Sequence, residues 1–154
     1  MKRGSTIFLR TIVFLLGLGV LSLCLYVIPS IIRSGEAGIY RNILLGMYIP
    51  AIPFFVALYQ TLKLLKLIDT NQAFSPLSVS ALEVIKYCGI SISLLYAAGM
   101  PYIYHIADQD DAPGVIAIGL VIIIASLVIS VFAAVLERLL QNAIDIKNEN
   151  DLTV

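Results

Sequence analysis

Four long apolar stretches constrain this chain more than any other feature of its sequence. They cover residues 11–32, 42–62, 85–104 and 114–136, and none has an ionisable residue away from its ends. A helix needs about 20 mainly apolar residues to cross a bilayer, because in lipid every backbone N–H and C=O must be satisfied within the segment. The composition agrees, since 60% of the residues are hydrophobic, against about 45–50% in soluble domains. We therefore predict an all-α polytopic membrane protein, a single domain with four transmembrane helices.

The distribution of lysine and arginine predicts how these helices are oriented. Short cytoplasmic loops of membrane proteins carry the excess of these residues. If the N-terminus is cytoplasmic, only Arg33 and Arg41 lie outside. The inner segments then hold the other eight basic residues: Lys2, Arg3, Arg10, Lys63, Lys66, Lys86, Arg138 and Lys147. Both termini are therefore predicted to be cytoplasmic.

Local signals bear on where the third helix begins and the fourth ends. Ser75 with Pro76 is a good N-cap and first-turn pair, whereas Ser80 with Glu83 matches a capping box, and the two starts remain open. Residues 137–154 are predicted to continue the fourth helix as a cytoplasmic extension. Apolar residues there share one helical stripe: Leu136, Leu139, Leu140, Ala143 and Ile144.

Prolines predict irregular points in two of the spans. Pro50 and Pro53 lie in the second span, and Pro101 lies near the outer end of the third. Proline lacks the N–H of one helical hydrogen bond, so a bend is expected around residues 48–54. Such a break can line a transport path, but we favour a structural kink because neighbouring helices can satisfy the freed carbonyls.

The sequence lacks the patterns that most enzymes use. It has no HExxH, GxSxG, P-loop or dinucleotide-binding glycine motif, and no carboxylate at mid-span to bind a coupling ion. Cys24 and Cys88 fall in apolar stretches and are interpreted as buried hydrophobic side chains. Ten basic and ten acidic residues cancel, which argues against direct nucleic-acid binding. We predict a protein that is not an enzyme and carries no cofactor.

The single histidine and three aspartates gather between the third and fourth spans. His105 is followed by Asp108, Asp110 and Asp111. An imidazole beside carboxylates can bind a metal or titrate near neutral pH, which is one hypothesis for this loop. We favour the alternative, a solvated acidic turn without a metal, because the spacing does not match an EF-hand loop.

Small residues recur at every fourth position on the third and fourth helices. In lipid, such faces allow two helices to approach closely. The short loop between these helices makes them antiparallel neighbours, so we favour packing of one face on the other within the chain. The alternative is a seam between two copies in a homo-oligomer. The residues concerned are Gly89, Ser93 and Ala97 on the third helix, and Ser126, Ser130 and Ala134 on the fourth.

Two polar stretches carry a resemblance to a known family. They are Asn71-Gln72-Ala73-Phe74-Ser75, before the third span, and Glu149-Asn150-Asp151-Leu152-Thr153, near the end of the chain. With the four-span layout, the chain resembles the YoaS-like family of small bacterial membrane proteins of unknown function. The resemblance covers nearly the whole chain and implies a multi-pass protein of the bacterial cytoplasmic membrane. Family members are often encoded beside a small helix-turn-helix regulator of the Cro/C1 type, which implies such a regulator as a partner.

Two hypotheses about function follow, both for a protein embedded in the lipid bilayer. The first is a regulatory or interaction protein whose cytoplasmic surface includes Asn71, Phe74, Ser75, Glu149, Asn150, Asp151 and Leu152. Support of the fold is an equal explanation for these residues. The second hypothesis is a small transporter, a channel-like protein or an immunity-type component, with a path past Pro50, Pro53 and the small-residue faces.

Overall fold

The computed structural model of the chain is helical throughout its regular structure, in the part that it describes, residues 2–35 and 38–153. Four helical stretches are long and apolar enough to cross a membrane. These four spans cover Thr6–Ser34, Arg41–Asp69, Pro76–Gln109 and Pro113–Leu152. The prediction of an all-α chain with four membrane-spanning helices is therefore confirmed.

The spans are built from six α-helices within the described residues. These are α1 (Lys2–Ser22), α2 (Ile28–Ser34), α3 (Arg41–Gly46), α4 (Tyr48–Asp69), α5 (Pro76–Gln109) and α6 (Pro113–Thr153). A π-helical segment, Leu23–Val27, joins α1 to α2, and a 3₁₀ turn, Gly38–Tyr40, precedes α3. Most of the helices extend beyond the predicted apolar stretches. A helix ends where its last backbone groups find other hydrogen-bond partners, and this point need not coincide with the edge of the apolar stretch.

Of the two start signals for the third span, the structure uses the earlier one. Ser75 is extended, with φ −139° and ψ 157°, and Pro76 is the first residue of α5. The Ser75 hydroxyl does not cap an N–H of the helix and instead donates to the Gln72 carbonyl, 2.7 Å away. Ser80 and Glu83 lie inside α5.

The helices pack in the order in which they occur in the chain. The first span packs on α4, α4 packs on α5, and α5 makes its most extensive contact with α6. Within the described residues, α1 and α6 do not form a comparable contact. The bundle is therefore open along one side, between its first and last spans.

Ion pairs join neighbouring helices at one end of the bundle, which we call the ion-pair end. The Asp69 carboxylate accepts hydrogen bonds from Thr6 Oγ1 at 2.6 Å and from an Arg10 guanidinium nitrogen at 3.1 Å. Lys86 Nζ lies 3.0 Å from a Glu137 carboxylate oxygen. These contacts tie α1 to α4 and α5 to α6.

The opposite end, which we call the tyrosine end, is joined by hydrogen bonds from phenol and amide groups. The Tyr40 hydroxyl donates to Asp110 at 2.7 Å, and the Asn42 amide donates to the Tyr102 hydroxyl at 3.1 Å. Both bonds connect the start of the second span to the end of the third. The residues from Tyr40 to Asn42 are thereby held against the end of the third span.

The π-helical segment has a local cause in Pro29. The Ile28 N–H donates to the Leu23 carbonyl, five residues back, and leaves the Cys24 carbonyl without its usual donor. The next residue in the π register is Pro29, which has no N–H to offer. The Tyr48 hydroxyl donates to the Cys24 carbonyl instead. A side chain of the second span therefore satisfies a carbonyl freed in the first.

The irregularity in the second span falls just before the expected region of residues 48–54. The chain leaves regular helix at Met47, between α3 and α4, while Pro53 lies inside continuous helix. Pro50 explains this position, because a proline ring displaces the carbonyl four residues earlier, here that of Gly46.

Candidate functional site

The turn between α4 and α5 lies at the ion-pair end and contains three of the residues expected to form a surface. Asn71 has φ 60°, in the left-handed region that asparagine tolerates better than most residues. Next to it, the Gln72 N–H donates to the Leu67 carbonyl at 2.8 Å, and the Asn71 N–H donates to the Ile68 carbonyl at 3.2 Å. This is the Schellman arrangement that ends a helix. Asn71 therefore has a structural role in closing α4.

Two serines hold the same turn, and Phe74 is left projecting from it. The hydroxyls of Ser75 and Ser78 both donate to the Gln72 carbonyl, at 2.7 and 3.3 Å. Ser78 is fully buried, a role that the sequence reasoning missed because a serine on an amphipathic helix gives no sign of which carbonyl it will meet. Phe74 remains 58% exposed. Of the three predicted residues in the turn, Phe74 is the one that exposes a large apolar side chain.

A groove of 630 Å³ adjoins this turn, and we call it the lysine groove. Lys63 and Lys66 lie one helical turn apart in it, and neither joins an ion pair within the described residues. The acidic residue at the end of α4, Asp69, is already bound by Arg10. The groove is therefore positively charged, and its lining consists of Tyr59, Leu62, Lys63, Lys66, Leu67, Thr70 and Gln72.

The C-terminal part of α6 projects at the same end. The Lys86–Glu137 pair sets the register of α5 on α6, and ten residues further on each helix Pro76 lies at the level of Lys147. Ile144 is the last buried residue of α6, and residues 145–152 are all exposed. The four predicted tail residues lie in this uncovered segment: Glu149, Asn150, Asp151 and Leu152.

The predicted stripe on the extension is covered on only part of its length. Ile144 is buried, and Leu140 and Ala143 are half-buried. Leu136 and Leu139 are exposed, at 51% and 60%. The stripe is therefore covered from Leu140 to Ile144, and its first two residues face outward.

The contact between α5 and α6 is closest at Gly89. A Cβ built there would overlap Ser130 Oγ and would lie 3.0 Å from the Ser126 carbonyl oxygen, which is closer than most real Cβ contacts. One turn further along α5, Ser93 is buried and its hydroxyl donates to the Ile123 carbonyl at 3.4 Å. The structure brings these four predicted packing residues together within a single chain.

The last predicted position on each face departs from this contact. Ala97 is exposed, and Ala134 is half-buried next to the fully buried Ala133. A helix has about 3.6 residues per turn, so positions four apart rotate about 40° at each step and leave the interface after two steps. Towards the tyrosine end, Gly119 continues the contact, where a Cβ would lie 2.8 Å from Met100 Sδ.

The acidic loop at the tyrosine end is used mainly in hydrogen bonds. Asp111 has φ 51° and stands at the left-handed position of a second Schellman turn, which ends α5. His105 Nε2 lies 3.1 Å from the Gln109 side-chain nitrogen, and Asp108 is exposed. Within the described residues, no group of three or more His, Cys, Asp and Glu side chains is placed to hold a metal ion.

Asp110 is the member of this loop with an electrostatic effect on a neighbour. Its carboxylate accepts the hydrogen bond from Tyr40, which raises the pKa of that phenol above its usual value of 10.0. Partial burial and the negative charge of Asp110 act in the same direction. The Tyr40 phenol is therefore protonated at neutral pH and can donate this hydrogen bond.

A cavity of 490 Å³ lies between the helices, and we call it the central apolar cavity. All four spans contribute to its lining, and it is partly open to the outside. None of the lining residues is Asp, Glu, Lys, Arg or His. They are Leu16, Val20, Leu23, Cys24, Ile28, Met47, Pro50, Ala51, Phe54, Ala57, Leu58, Thr61, Ile85, Gly89, Ile92, Tyr96, Ile122, Ala125, Ser126 and Ile129.

Four apolar helices that pack in chain order around an apolar cavity define a small polytopic membrane protein. The chain belongs to the DUF2975 family, described as proteins of unknown function, whose family model matches residues 8–154. It is 55% identical to the uncharacterized membrane protein YoaS of Bacillus subtilis (strain 168), over an alignment of 161 residues that covers both chains completely. No solved structure matches the chain. The resemblance to the YoaS-like family is therefore confirmed.

Proposed function

We propose that the chain is a non-enzymatic interaction protein of the bacterial cytoplasmic membrane, which binds a partner through its ion-pair end. The observation that carries this proposal is the exposure of two apolar side chains, Phe74 in the turn at 58% and Leu152 in the tail at 87%. Exposed apolar groups beside charged residues are typical of protein interaction sites. The lysine groove and the acidic Glu149 and Asp151 supply charge of both signs around them.

The proposal requires the ion-pair end to face the cytoplasm. Lys63, Lys66 and Lys86 lie at this end, and the tyrosine end has only Arg33 and Arg41. We expect a fluorescent-protein fusion after residue 154 to be bright, and a periplasmic phosphatase fused at the same place to be inactive. The same phosphatase inserted after Asp111 is expected to be active. The opposite pattern would contradict the orientation.

The partner proposed here is the helix-turn-helix regulator implied by the family resemblance, held at the membrane without direct contact between this chain and nucleic acid. We expect the regulator to co-purify with the wild-type protein from native membranes. Phe74→Ser and a deletion of residues 149–154 are each expected to reduce this co-purification strongly, because each removes an exposed apolar contact. Tyr104→Ser, which changes a 59% exposed residue near the tyrosine end, is the matched control.

Two readouts separate binding from support of the fold. If the turn and tail serve only the fold, the Phe74 and tail variants will lose membrane protein before they lose the regulator. If the variants accumulate normally and still retain the regulator, this surface is not its binding site.

The central apolar cavity favours a second candidate from the class of transporters, channel-like proteins and immunity components. Of the residues that this hypothesis named, Pro50, Gly89 and Ser126 line the cavity, whereas Pro53 does not. Its lining offers no charged group to an ion, so the cavity suits an apolar molecule. This observation supports binding of such a molecule more directly than conduction of a polar one.

A further inference from the structure

The central apolar cavity is long and narrow. On α5 its lining runs from Ile85 to Tyr96, about 17 Å at 1.5 Å per residue. Over that length, a volume of 490 Å³ corresponds to a mean width of less than about 10 Å. A helix with its side chains is about 10–12 Å across, so a helix from a second copy does not fit. A single hydrocarbon chain does.

The cavity lies at the depth of the lipid chains. Its lining on α5, from Ile85 to Tyr96, occupies the middle of a helix that runs from Pro76 to Gln109. The lining on α6, from Ile122 to Ile129, is likewise far from both ends of the membrane span. The hydrocarbon core of a bilayer is about 30 Å thick, so a length of about 17 Å corresponds to roughly one leaflet.

The hydroxyl groups that reach the cavity are mostly committed to their own helices. Thr61 Oγ1 donates to the Ala57 carbonyl at 2.8 Å, and Ser126 Oγ donates to the Ile122 carbonyl at 2.7 Å. Within the described residues, Tyr96 is the lining residue whose hydroxyl forms no such bond. The surface offered to a guest is therefore almost entirely apolar, which excludes a polar solute on desolvation grounds.

The open side of the bundle connects the cavity to the bilayer. The first span contributes Leu16 and Val20 to the lining, and α6 contributes Ile122 and Ile129. Within the described residues, these two helices do not pack extensively on each other. A molecule already in the bilayer can therefore enter sideways between them without crossing a polar surface.

We propose that the central apolar cavity binds one acyl chain of a membrane phospholipid, which enters between α1 and α6. The chain fills a space that the four spans leave open, and it contacts side chains from each of them. This site is separate from the surface at the ion-pair end, so neither proposal depends on the other.

The first test fills the cavity and counts the lipid that remains bound. Ala57→Phe places a ring in the cavity, and Ala98→Phe makes the same change at an exposed position of α5. After extraction from phosphatidylglycerol and phosphatidylethanolamine membranes, native mass spectrometry is expected to show one retained phospholipid on the wild type and on Ala98→Phe. Ala57→Phe is expected to lose it. Equal retention by both variants would overturn the proposal.

The second test asks whether an acyl chain lies in the cavity, and it leaves the cavity lining nearly unchanged. The sequence has no tryptophan, so Phe54→Trp introduces a unique fluorophore in the cavity and Phe132→Trp introduces one at a 64% exposed position. In bilayers of phosphatidylcholine brominated at mid-chain, both fluorophores are expected to be quenched. Adding Ala57→Phe is expected to protect only the one at position 54. Absence of quenching at position 54 in the otherwise unchanged cavity would overturn the proposal even if Ala57→Phe fails to fold.

A third variant separates an acyl chain from an apolar guest that accepts a hydrogen bond. Tyr96→Phe removes the uncommitted hydroxyl and keeps the ring. The hydrocarbon part of an acyl chain forms no hydrogen bond with that hydroxyl, so lipid retention and quenching are expected to stay at wild-type levels. Loss of either signal in Tyr96→Phe would show that a hydrogen bond from Tyr96 holds the guest, which would overturn binding through the hydrocarbon chain alone.

Discussion

Replacing Gly89 by alanine is expected to destabilise the bundle by about 1–3 kcal/mol, the usual effect of overpacking a well-filled interior. The new methyl group would overlap Ser130 Oγ and would lie 3.0 Å from the Ser126 carbonyl oxygen. The Ser130 hydroxyl can rotate away, but it then loses its 2.9 Å hydrogen bond to the Ser126 carbonyl. The Ser126 carbonyl oxygen cannot move without shifting α6. We expect a lower midpoint of thermal unfolding in detergent, followed by loss of the monodisperse peak in size-exclusion chromatography.

Gly99→Ala is the matched control for this prediction. It makes the same change on the same helix, but the nearest atom to the new methyl group is 4.0 Å away. Alanine favours helix over glycine by about 1 kcal/mol in soluble hosts, so Gly99→Ala is expected to be neutral or stabilising. Adding Ser130→Gly to Gly89→Ala removes the serine side chain that the methyl group meets and is expected to restore part of the stability. Equal stability of Gly89→Ala and Gly99→Ala would show that α5 and α6 are not in the close contact described.

Replacing Tyr48 by phenylalanine is expected to destabilise the protein by about 1–3 kcal/mol, the usual cost of leaving a buried polar group without a partner. The lost hydroxyl is the donor that satisfies the Cys24 carbonyl, for which neither Ile28 nor Pro29 supplies an N–H. No water is at hand inside a bilayer to replace it. The measurement is again thermal unfolding in detergent, with Tyr26→Phe, at a 72% exposed position of the π segment, as the control.

A double-mutant cycle with Pro29→Ala tests whether the missing N–H of Pro29 is the reason that the Tyr48 hydroxyl is needed. Alanine at position 29 regains an N–H, which can bond to the Cys24 or the Leu25 carbonyl and lets the π segment return to regular helix. We therefore expect Tyr48→Phe to cost less in the Pro29→Ala background than in the wild type. If the cost is the same in both backgrounds, the Tyr48 hydroxyl does not compensate for the proline.

The turn between α4 and α5 shows how much of a candidate surface a local sequence motif can predict. The sequence singles out Asn71, Phe74 and Ser75 equally, because each belongs to the same short motif. In the structure, Asn71 closes α4 through its left-handed backbone and Ser75 bonds within the turn, whereas the Phe74 side chain is 58% exposed. A sequence motif shows only which residues occur together. The fold shows which of them form the turn and which of them expose their side chains.

The sequence by itself determined the class of the protein, the number of spans and the family. These depend on the length of apolar runs and on short motifs, which are properties of the chain that hold before any helix meets another. It also indicated that Gly89, Ser93, Ser126 and Ser130 would pack. The tertiary structure decided that Ala97 leaves this contact, because a spacing of four residues drifts around a helix of 3.6 residues per turn.

Only the tertiary structure decided where the bundle has a cavity and which side chains of different helices meet. The central apolar cavity and the bond from Tyr48 to the Cys24 carbonyl each join residues far apart in sequence. Their existence depends on the rotation and register of whole helices, which many contacts set together. A local pattern of apolar and polar residues does not specify that rotation, since a helix surrounded by lipid is apolar on every side.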